Sequence, residues 1–382
     1  MNPSQNSLGA VHPDVRYAVL GAGGFVGAAL VERIYRAGAQ VAPLIRRIGT
    51  GGALLARFGL PQRIANVMDR ESLKAAFAGT DIVFHCVTGD RAAIVQGLEN
   101  SLAVSQAAKV RRFVYLSSAI VHGFQPKAAV NEVSPFDPPS WSEYAKNKTA
   151  AEKIIGNWRG GPEIVVLRPS IVYGPRGRDW SEIPARQIAA GTAYLVDQGR
   201  GYMNEIHIAH LLDAMLLAAH HPVAANQAYV LQDGIGRTWQ DYYRSLCELL
   251  GVEFSTLAAF SLEDVTRNAS RFLHFQRWVK NAPGVLRSAV WHDPLKTWLK
   301  QAPGFESLRR LASASPVQTA SNGGASQAPA IVPDLGIALL HTFPQPLDDQ
   351  KIRKELGFAP RLSLPQTLES LRRWYRFMGL VR

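Results

Sequence analysis

The amino-acid sequence predicts an α/β fold in which a doubly wound parallel sheet is followed by a smaller C-terminal domain and a helical insertion. Between Tyr17 and about Arg168, short β-branched runs alternate with helical stretches, which is typical of a parallel sheet with helices on both faces. The chain has 382 residues, 47% of them hydrophobic, which is enough for a substantial core. The predicted strands are Tyr17–Leu20, Gln40–Ile45, Gln62–Ala65, Ile82–His85, Phe113–Ser117 and Ile164–Leu167.

The first strand leads into a glycine-rich turn and then into an amphipathic helix from Phe25 to about Ala37. Gly21 suits a tight turn, Gly24 allows the backbone to approach a pyrophosphate, and Gly27 allows the helix to pack closely on its strand. The phosphates would lie at the amide-rich, positive end of the helix. This Rossmann-type pattern indicates dinucleotide binding, while a purely structural glycine turn is the alternative.

The second strand ends at Ile45, where NAD-selective domains often place a carboxylate on the adenosine ribose. Arg46 and Arg47 follow it, and two guanidinium groups at this point suit a 2′-phosphate. The sequence therefore favours NADP over NAD, with ordinary solvated charges as the alternative. Pro43 is unusual inside an internal strand.

The loops after the third and fourth strands are expected to pass close to the cofactor. Asn66 and Val67 follow the third strand, and Asp69 is a helix cap for Arg70–Phe77. Cys86 follows the fourth strand, and we interpret it as a small buried apolar residue. Cys86 and Cys247 are the two cysteines of the chain, so the sequence offers no disulfide framework.

Polar residues follow the fifth strand and open the next helix. Ser117 and Ser118 fall at the carboxyl edge of the sheet, where ligands bind in such folds. Tyr144 and Lys148 are four residues apart and share one helical face. A cation near a phenol lowers its pKa, so that the phenol can exchange a proton with a carbinol oxygen that a serine hydroxyl holds. The lysine would also bond the nicotinamide ribose.

Taken together, four stretches resemble the extended short-chain dehydrogenase/reductases, also called the NAD-dependent epimerase/dehydratase family: Gly21–Gly27, Phe113–Gly123, Tyr144–Lys148 and Leu167–Pro175. The resemblance implies Ser118, Tyr144 and Lys148 as the catalytic set, Ser118 being preferred because it lies five residues before Gly123. It also implies that Pro169 to Ile171 borders the nicotinamide. The predicted cofactor-binding residues are Gly21, Gly24, Phe25, Val26, Gly27, Arg46, Arg47, Asn66, Val67, Cys86, Ser117, Tyr144, Lys148, Pro169 and Ile171.

Departures from the family pattern narrow the choice among the reactions that the family catalyses. Ala119 and Ile120 stand where sugar 4,6-dehydratases usually carry an acidic pair, so a dehydratase is disfavoured. Met203 stands where nucleotide-sugar epimerases usually carry a diphosphate-binding arginine. Other arginines could supply that anchor: Arg176, Arg178, Arg186 and Arg200. His122 replaces a frequent tyrosine, and Ile94 stands where many members have asparagine.

We expect an NADP-preferring oxidoreductase that moves hydride between the nicotinamide and a secondary alcohol or ketone, with NAD as the alternative cofactor. One rival is a sugar or nucleotide-sugar epimerase that uses the same Ser–Tyr–Lys set. The other is a non-catalytic dinucleotide-binding scaffold. The expected partner is a small-molecule substrate; no metal and no nucleic acid are expected, and the resemblance allows a homodimer.

The expected organisation is a disordered leader (1–16), a dinucleotide-binding domain (17–175), a substrate-binding part (176–265 and 341–382, with helices at Ile208–His220 and Trp239–Leu250) and an insertion (266–340). Trp278–Val285 recurs in similar form as Trp298–Phe305. The stretch from Thr266 to Leu311 contains nine Lys or Arg and two acidic residues, so it carries +7 of the net charge of +12. This composition suits either a peripheral membrane surface or a helical lid or partner surface. Ala312–Pro333 is expected to be a flexible linker. With no secretory or membrane-spanning segment, a cytoplasmic location is expected.

Overall fold

The computed structural model describes residues 11–47, 49, 52, 55–60, 63–124, 126–268 and 331–381. Within these residues, seven parallel strands form the central sheet in the order β3-β2-β1-β4-β5-β6-β10. Their bounds are Arg16–Leu20 (β1), Gln40–Ile45 (β2), Arg63–Ile64 (β3), Ile82–His85 (β4), Arg112–Leu116 (β5), Glu163–Pro169 (β6) and Ala228–Leu231 (β10). The predicted α/β doubly wound fold is confirmed, and the strand order reverses between β1 and β4, where ligands bind in this fold.

The α-helices that lie wholly within the described residues are Phe25–Arg36 (α1), Arg70–Phe77 (α2), Gly97–Ala107 (α3), Glu143–Asn157 (α4), Ile183–Ala189 (α5), Ile208–His220 (α6), Trp239–Leu250 (α7), Leu335–His341 (α8), Gln350–Leu356 (α9) and Leu364–Phe377 (α10). Asp69 caps α2 as predicted, because its side chain accepts hydrogen bonds from the Glu71 and Ser72 amides. No helix in the described ranges is long and apolar enough to cross a bilayer.

Two short parallel strand pairs lie outside the central sheet. Ile171–Tyr173 (β7) pairs with Glu205–His207 (β9), and Tyr194–Val196 (β8) pairs with Ala258–Phe260 (β11). In the chain, β7 directly follows β6 of the central sheet, and β9 leads into α6, which packs on that sheet. The smaller part of the protein therefore begins directly beyond the carboxyl end of β6.

One helix lies elsewhere than the sequence suggested. We expected Ile208–His220 to belong to the smaller part, but α6 packs on the central sheet, where Leu211 and Met215 share a buried cluster with Val114 of β5 and Leu167 of β6. The chain then returns to the sheet as β10, which pairs with β6. This placement follows from the apolar character of α6, which has buried residues on most of its surface.

Pro43 is tolerated in β2 because the strand has a neighbour on only one side at that level. Pro43 pairs with Val19 of β1, whereas β3 pairs only with Leu44 and Ile45. Of the predicted strand Gln62–Ala65, Gln62 lies outside the described residues, and Arg63 and Ile64 form β3, both exposed at the sheet edge. Pro43 therefore lies beside a partly open sheet edge, where proline is accepted.

The insertion is described only at its two ends. Both tryptophan-containing repeats and most of the predicted linker lie outside the described residues, as do residues 1–10 of the predicted leader. At the first end, Arg267 makes ion pairs with Glu263 and Asp264, at 2.5 and 3.3 Å. At the second end, α8 packs against β8 through the buried Ala338.

Candidate active site

The glycine turn between β1 and α1 is built for close backbone approach. Gly21 has a φ of +77°, and a Cβ atom there would lie 2.7 Å from the carbonyl oxygen of Cys86. A Cβ atom at Gly27 would lie 2.3 Å from the carbonyl oxygen of Gly21, so the helix can meet the turn only without a side chain. Gly24 is the N-cap of α1. The turn therefore forms a cradle that side chains would fill, which fits a bound dinucleotide.

The N-terminus of α1 is suited to phosphate. No described side chain caps it by a hydrogen bond, and its first turn contains no acidic residue. The first amide groups of a helix lack intrahelical partners and carry partial positive charge. The predicted residues Phe25 and Val26 open this helix and line the cavity described below. The pyrophosphate of a dinucleotide would complete the hydrogen bonding here.

Arg46 and Arg47 lie directly after β2 and are exposed. Neither makes an ion pair with a described residue, in contrast to Arg36, Arg57 and Arg176, which all bind Glu32 of α1. The two guanidinium groups at the end of β2 are thus available to an anion. This placement is compatible with a 2′-phosphate.

The predicted cofactor residues of the next two loops are ordered by local contacts. The Asn66 side chain accepts a hydrogen bond from the Met68 amide at 3.1 Å, and the Val67 carbonyl accepts one from the Asn100 side chain at 2.9 Å. Cys86 is buried, and burial raises the pKa of its thiol to about 12. The cysteine is therefore an uncharged apolar residue at neutral pH, in agreement with the interpretation from sequence.

Ser118, Tyr144 and Lys148 come together at the carboxyl edge of the sheet. Lys148 is only 1% exposed, and its ammonium group donates to the Leu116 carbonyl at 2.7 Å and to the Tyr115 hydroxyl at 3.4 Å. It lies 5.9 Å from the centre of the Tyr144 ring. Ser118 and Tyr144 both line one cavity, and the Ser118 side chain interacts with the Tyr144 hydroxyl.

The pKa of Tyr144 is shifted in the opposite direction to the one we expected. The residue is 39% exposed, yet burial of its hydroxyl group raises the pKa to about 12, with Ser118 lowering it and Asp179 raising it further. Lys148 does not reverse this shift: its ammonium group donates to the Leu116 carbonyl and lies 5.9 Å from the centre of the Tyr144 ring. Burial also lowers the pKa of Lys148 to about 8. Desolvation is therefore the largest cause of both pKa shifts.

Ser117 has a different role from Ser118. Its hydroxyl donates to the buried Glu152, which also forms an ion pair with Arg168 of β6 at 2.6 Å. The same arginine donates to the Glu132 carbonyl at 2.9 Å. This network ties the end of β5 to α4 and β6. Ser117 also lines the cavity, but its hydroxyl is engaged in this network.

A cavity of about 860 Å³ opens in front of Tyr144 and Ser118. The predicted residues Pro169 and Ile171 form part of its wall. Eleven aromatic or aliphatic residues of the smaller part of the protein also line it: Trp180, Ile183, Tyr194, Tyr202, Met203, Trp239, Tyr243, Ile337, Leu340, Phe343 and Leu347. A cavity of this size and composition is typical of a small-molecule site.

Several site residues were not found from the sequence. Glu152 lies eight residues after Tyr144, so its position on the same helical face was a usable signal. Asp179 and Trp180 carried no such signal, because the turn after β7 brings them to the cavity. Ser170 and Trp239 also line the cavity, and each has a buried polar side-chain atom without a partner in the described part of the chain.

The parallel sheet and its glycine turn define a class of protein, the α/β proteins with a Rossmann-type dinucleotide-binding fold. Within that class, residues 17–231 match the NAD dependent epimerase/dehydratase family, and the chain belongs to this family. The resemblance to the extended short-chain dehydrogenase/reductases is thereby confirmed. The protein is an NAD(P)-dependent enzyme, and its cofactor is a nicotinamide dinucleotide.

Two relatives are reductases. The chain is 26% identical over 371 residues to the 4-hydroxy-2-methyl-3-oxo-4-farnesyl-3,4-dihydroquinoline-1-oxide ketoreductase of Stigmatella aurantiaca, covering 94% of this chain and 96% of the relative. It is 29% identical over 254 residues to the 2-alkyl-3-oxoalkanoate reductase of Shewanella oneidensis, covering 60% of this chain and 65% of the relative.

Two solved structures share the fold. A short-chain dehydrogenase/reductase superfamily protein of Agrobacterium tumefaciens with bound NAD has a TM-score of 0.63 and 19% identity, covering 95% of this chain and 98% of its own. The UDP-glucose 4-epimerase of Thermotoga maritima with UDP-glucose has a TM-score of 0.65 and 17% identity, covering 96% and 100%. At these identities the likeness concerns the fold.

Proposed function

We propose that this protein is an NADPH-preferring reductase that converts a ketone to a secondary alcohol. The observation that carries the proposal is the juxtaposition of Tyr144 and Ser118 at one end of a largely apolar cavity of about 860 Å³. Both relatives described above are named for reduction of a carbonyl group. The glycine turn and the end of β2 would hold the dinucleotide.

Each residue of the catalytic set has a distinct task in this proposal. The glycine turn would hold the dinucleotide, whose nicotinamide would supply hydride to the carbonyl carbon. Ser118 donates a hydrogen bond that holds the carbonyl oxygen, and Tyr144 gives its hydroxyl proton to that oxygen as the alkoxide forms. Lys148 would bond the nicotinamide ribose and stabilise the tyrosinate left after proton transfer.

The protonation state of Tyr144 supports the reductive direction in this proposal. A pKa raised to about 12 by burial keeps the hydroxyl protonated at neutral pH. A protonated phenol is the state that a general acid needs, so it supports reduction rather than oxidation. Reduction is also the reaction that NADPH, favoured by Arg46 and Arg47, commonly serves.

The test is to identify any dinucleotide that copurifies with the protein and then to follow NADPH oxidation in the presence of ketones. We expect ketone-dependent oxidation of NADPH, faster than oxidation of NADH, and an alcohol product. Turnover of UDP-glucose without net loss of reduced cofactor would instead identify the epimerase. Dinucleotide binding without turnover of any carbonyl substrate would identify the scaffold.

Two further predictions concern assembly and location. The family resemblance allows a homodimer, and the basic composition of residues 266–311 allows contact with an anionic membrane surface. Most of that segment lies outside the described residues, so the membrane contact stays a prediction. The homodimer also stays a prediction. Co-sedimentation with vesicles rich in anionic lipid, at low and at high salt, would test the membrane contact.

A further inference from the structure

One wall of the cavity comes from a segment far in sequence from the catalytic residues. Residues 332–347, which include α8 and are called the α8 wall here, contribute six lining residues: Val332, Asp334, Ile337, Leu340, Phe343 and Leu347. Five of the six are apolar. We infer that the α8 wall binds the uncharged, apolar body of the substrate, an inference that rests on the proposed function and names its substrate class.

The α8 wall is held in place by backbone contacts. The Gly201 amide donates to the His341 carbonyl at 2.8 Å, and the Tyr202 amide donates to the Phe343 carbonyl at 2.9 Å. A Cβ atom at Gly201 would lie 2.3 Å from the Phe343 nitrogen, so this approach requires glycine. Beyond it, Asn204 accepts from the Leu347 amide at 2.8 Å. The wall is therefore preformed, which lowers the entropic cost of binding.

Residues of α8 contact both the cavity and the core. Ile337 and Leu340 are three residues apart on the helix and both line the cavity, whereas the adjacent Ala338 is fully buried against Tyr194 and Val196 of β8. Ile337 also packs against this cluster, and Leu340 packs against the neighbouring core cluster. The two lining side chains are therefore partly fixed by the core, while Ala338 supplies the fully buried contact of the helix.

The charges of the cavity do not suit a nucleotide sugar. Among the described lining residues there is one cation, Arg178, and there are two carboxylates, Asp179 and Asp334, so their sum is −1. Arg176 is bound to Glu32 at 3.0 Å, and Met203, which is 1% exposed, lines the cavity where nucleotide-sugar epimerases usually have arginine. The net negative charge of the cavity would repel a diphosphate, while its apolar side chains would bind a neutral apolar group.

The experiment measures substrate length and apolar binding separately. A series of methyl ketones from butanone to decanone is assayed with NADPH, and binding of the neutral fluorophore N-phenylnaphthylamine is measured by fluorescence without turnover. The variants are Ile337→Asn and the milder Leu340→Ala. Leu339→Asn and Leu339→Ala are the matched controls, because Leu339 lies on the same helix, is also half-buried and does not line the cavity.

We expect kcat/KM of the wild type to rise about fourfold for each added methylene group that becomes buried. Ile337→Asn should lower decanone kcat/KM and fluorophore affinity at least tenfold, Leu340→Ala about threefold to tenfold, and the Leu339 controls less than twofold. NADPH affinity should stay within twofold in every variant, which also shows that the variants fold, and butanone turnover should stay within twofold in the Leu339 controls.

The outcomes separate this inference from the proposed function. Ketone reduction with no dependence on chain length, or equal effects at Ile337 and Leu339, would overturn the inference that the α8 wall binds the substrate. The proposed reductase function would not be affected. Fluorophore binding that depends on Ile337, with no reduction of any ketone, would overturn the reductase and leave the apolar site. Displacement of the fluorophore by UDP-glucose at micromolar concentration would overturn the inference as well.

Discussion

The Tyr144 hydroxyl carries the proton that the proposed reaction transfers, and Tyr144→Phe removes only that group. We expect turnover to fall by at least ~10²–10⁴-fold, the usual contribution of general acid–base catalysis. NADPH affinity should stay within threefold, because the glycine turn is untouched. Steady-state kinetics and cofactor fluorescence measure the two effects.

Tyr35→Phe is the matched control for this change, since Tyr35 is 40% exposed, close to the 39% of Tyr144, and does not line the cavity. It should retain full activity. A Tyr144→Phe enzyme within threefold of the wild type would show that another group supplies the proton.

At the end of β2, Arg46→Ala combined with Arg47→Ala should weaken NADPH much more than NADH. Only NADPH has a 2′-phosphate, and a hydrogen bond to a charged group contributes about 1.5–3 kcal/mol. Isothermal titration with both cofactors measures the difference. The control is Arg372→Ala with Arg373→Ala, two consecutive arginines of α10. Equal weakening of both cofactors would contradict the NADP preference.

Lys148 gives the dinucleotide affinity a pH dependence. Because burial lowers its pKa to about 8, the ammonium group is charged below pH 8 and loses its charge as the pH rises through that value. NADPH affinity should therefore be constant from pH 6 to 7.5 and fall by up to about tenfold per pH unit above 8. The neighbouring Cys86 and Tyr144, each with a pKa raised to about 12, do not titrate in this range.

The comparison is with Lys148→Met, which should bind NADPH more weakly but without a step near pH 8. Titrations across pH 6–10 measure both proteins. A step of the same size in Lys148→Met would assign the pH dependence to some other group.

At the level of elements, the contact between α1 and the glycine turn is one of the two closest glycine approaches in the described chain, together with that at Gly201. Gly27→Ala places a Cβ atom 2.3 Å from the Gly21 carbonyl oxygen, so the backbone of the turn must move. We expect a loss of about 1–3 kcal/mol of stability and loss of measurable dinucleotide binding. Urea denaturation and cofactor titration measure these quantities.

Gly156→Ala provides the control, because Gly156 lies near the end of α4 and a Cβ atom there meets nothing within 4 Å. Alanine is the better helix former, so the free energy of unfolding should be unchanged or rise by up to about 1 kcal/mol. If Gly27→Ala behaved like Gly156→Ala, the turn would be more adaptable than its geometry indicates.

Local patterns explain which elements and site residues the sequence could predict. The glycine turn, the Asp69 cap and the spacing of Tyr144 and Lys148 each depend on neighbours within one or two helical turns, and the structure has all three. The pKa of Tyr144 could not be predicted, because it depends on burial that several elements create together. Sequence spacing shows which groups meet, and it does not show how much water remains around them.

Long-range packing explains what the sequence missed. Gly201 meets Phe343 across more than a hundred residues, and no periodicity links them. The position of α6 was also misassigned, because an apolar helix fits a sheet or a second domain equally well by pattern. Only the pairing of β10 with β6 decides that α6 is a crossover on the central sheet.

At the scale of the whole molecule, residues 269–330 should be dispensable for the fold and for dinucleotide binding. We expect a variant with a glycine–serine linker of about ten residues, which spans up to ~33 Å, to keep NADPH affinity within threefold. Its far-ultraviolet circular dichroism and its thermal midpoint check the fold. Loss of NADPH binding in this variant would show that the replaced segment takes part in the cofactor site.

Both anchors of this replacement lie at β8. The Leu262 amide donates to the Asp197 side chain at 3.0 Å where the chain leaves, and the Asp334 amide donates to the Tyr194 hydroxyl at 2.9 Å where it returns. The chain from Leu262 to Asp334 therefore begins and ends beside β8. For a flexible loop, doubling the number of residues costs only about 0.6 kcal/mol in loop-closure entropy. Because both ends are fixed beside β8, we expect a segment of another length or sequence to be accepted between them without a change in the pairing of β8 with β11.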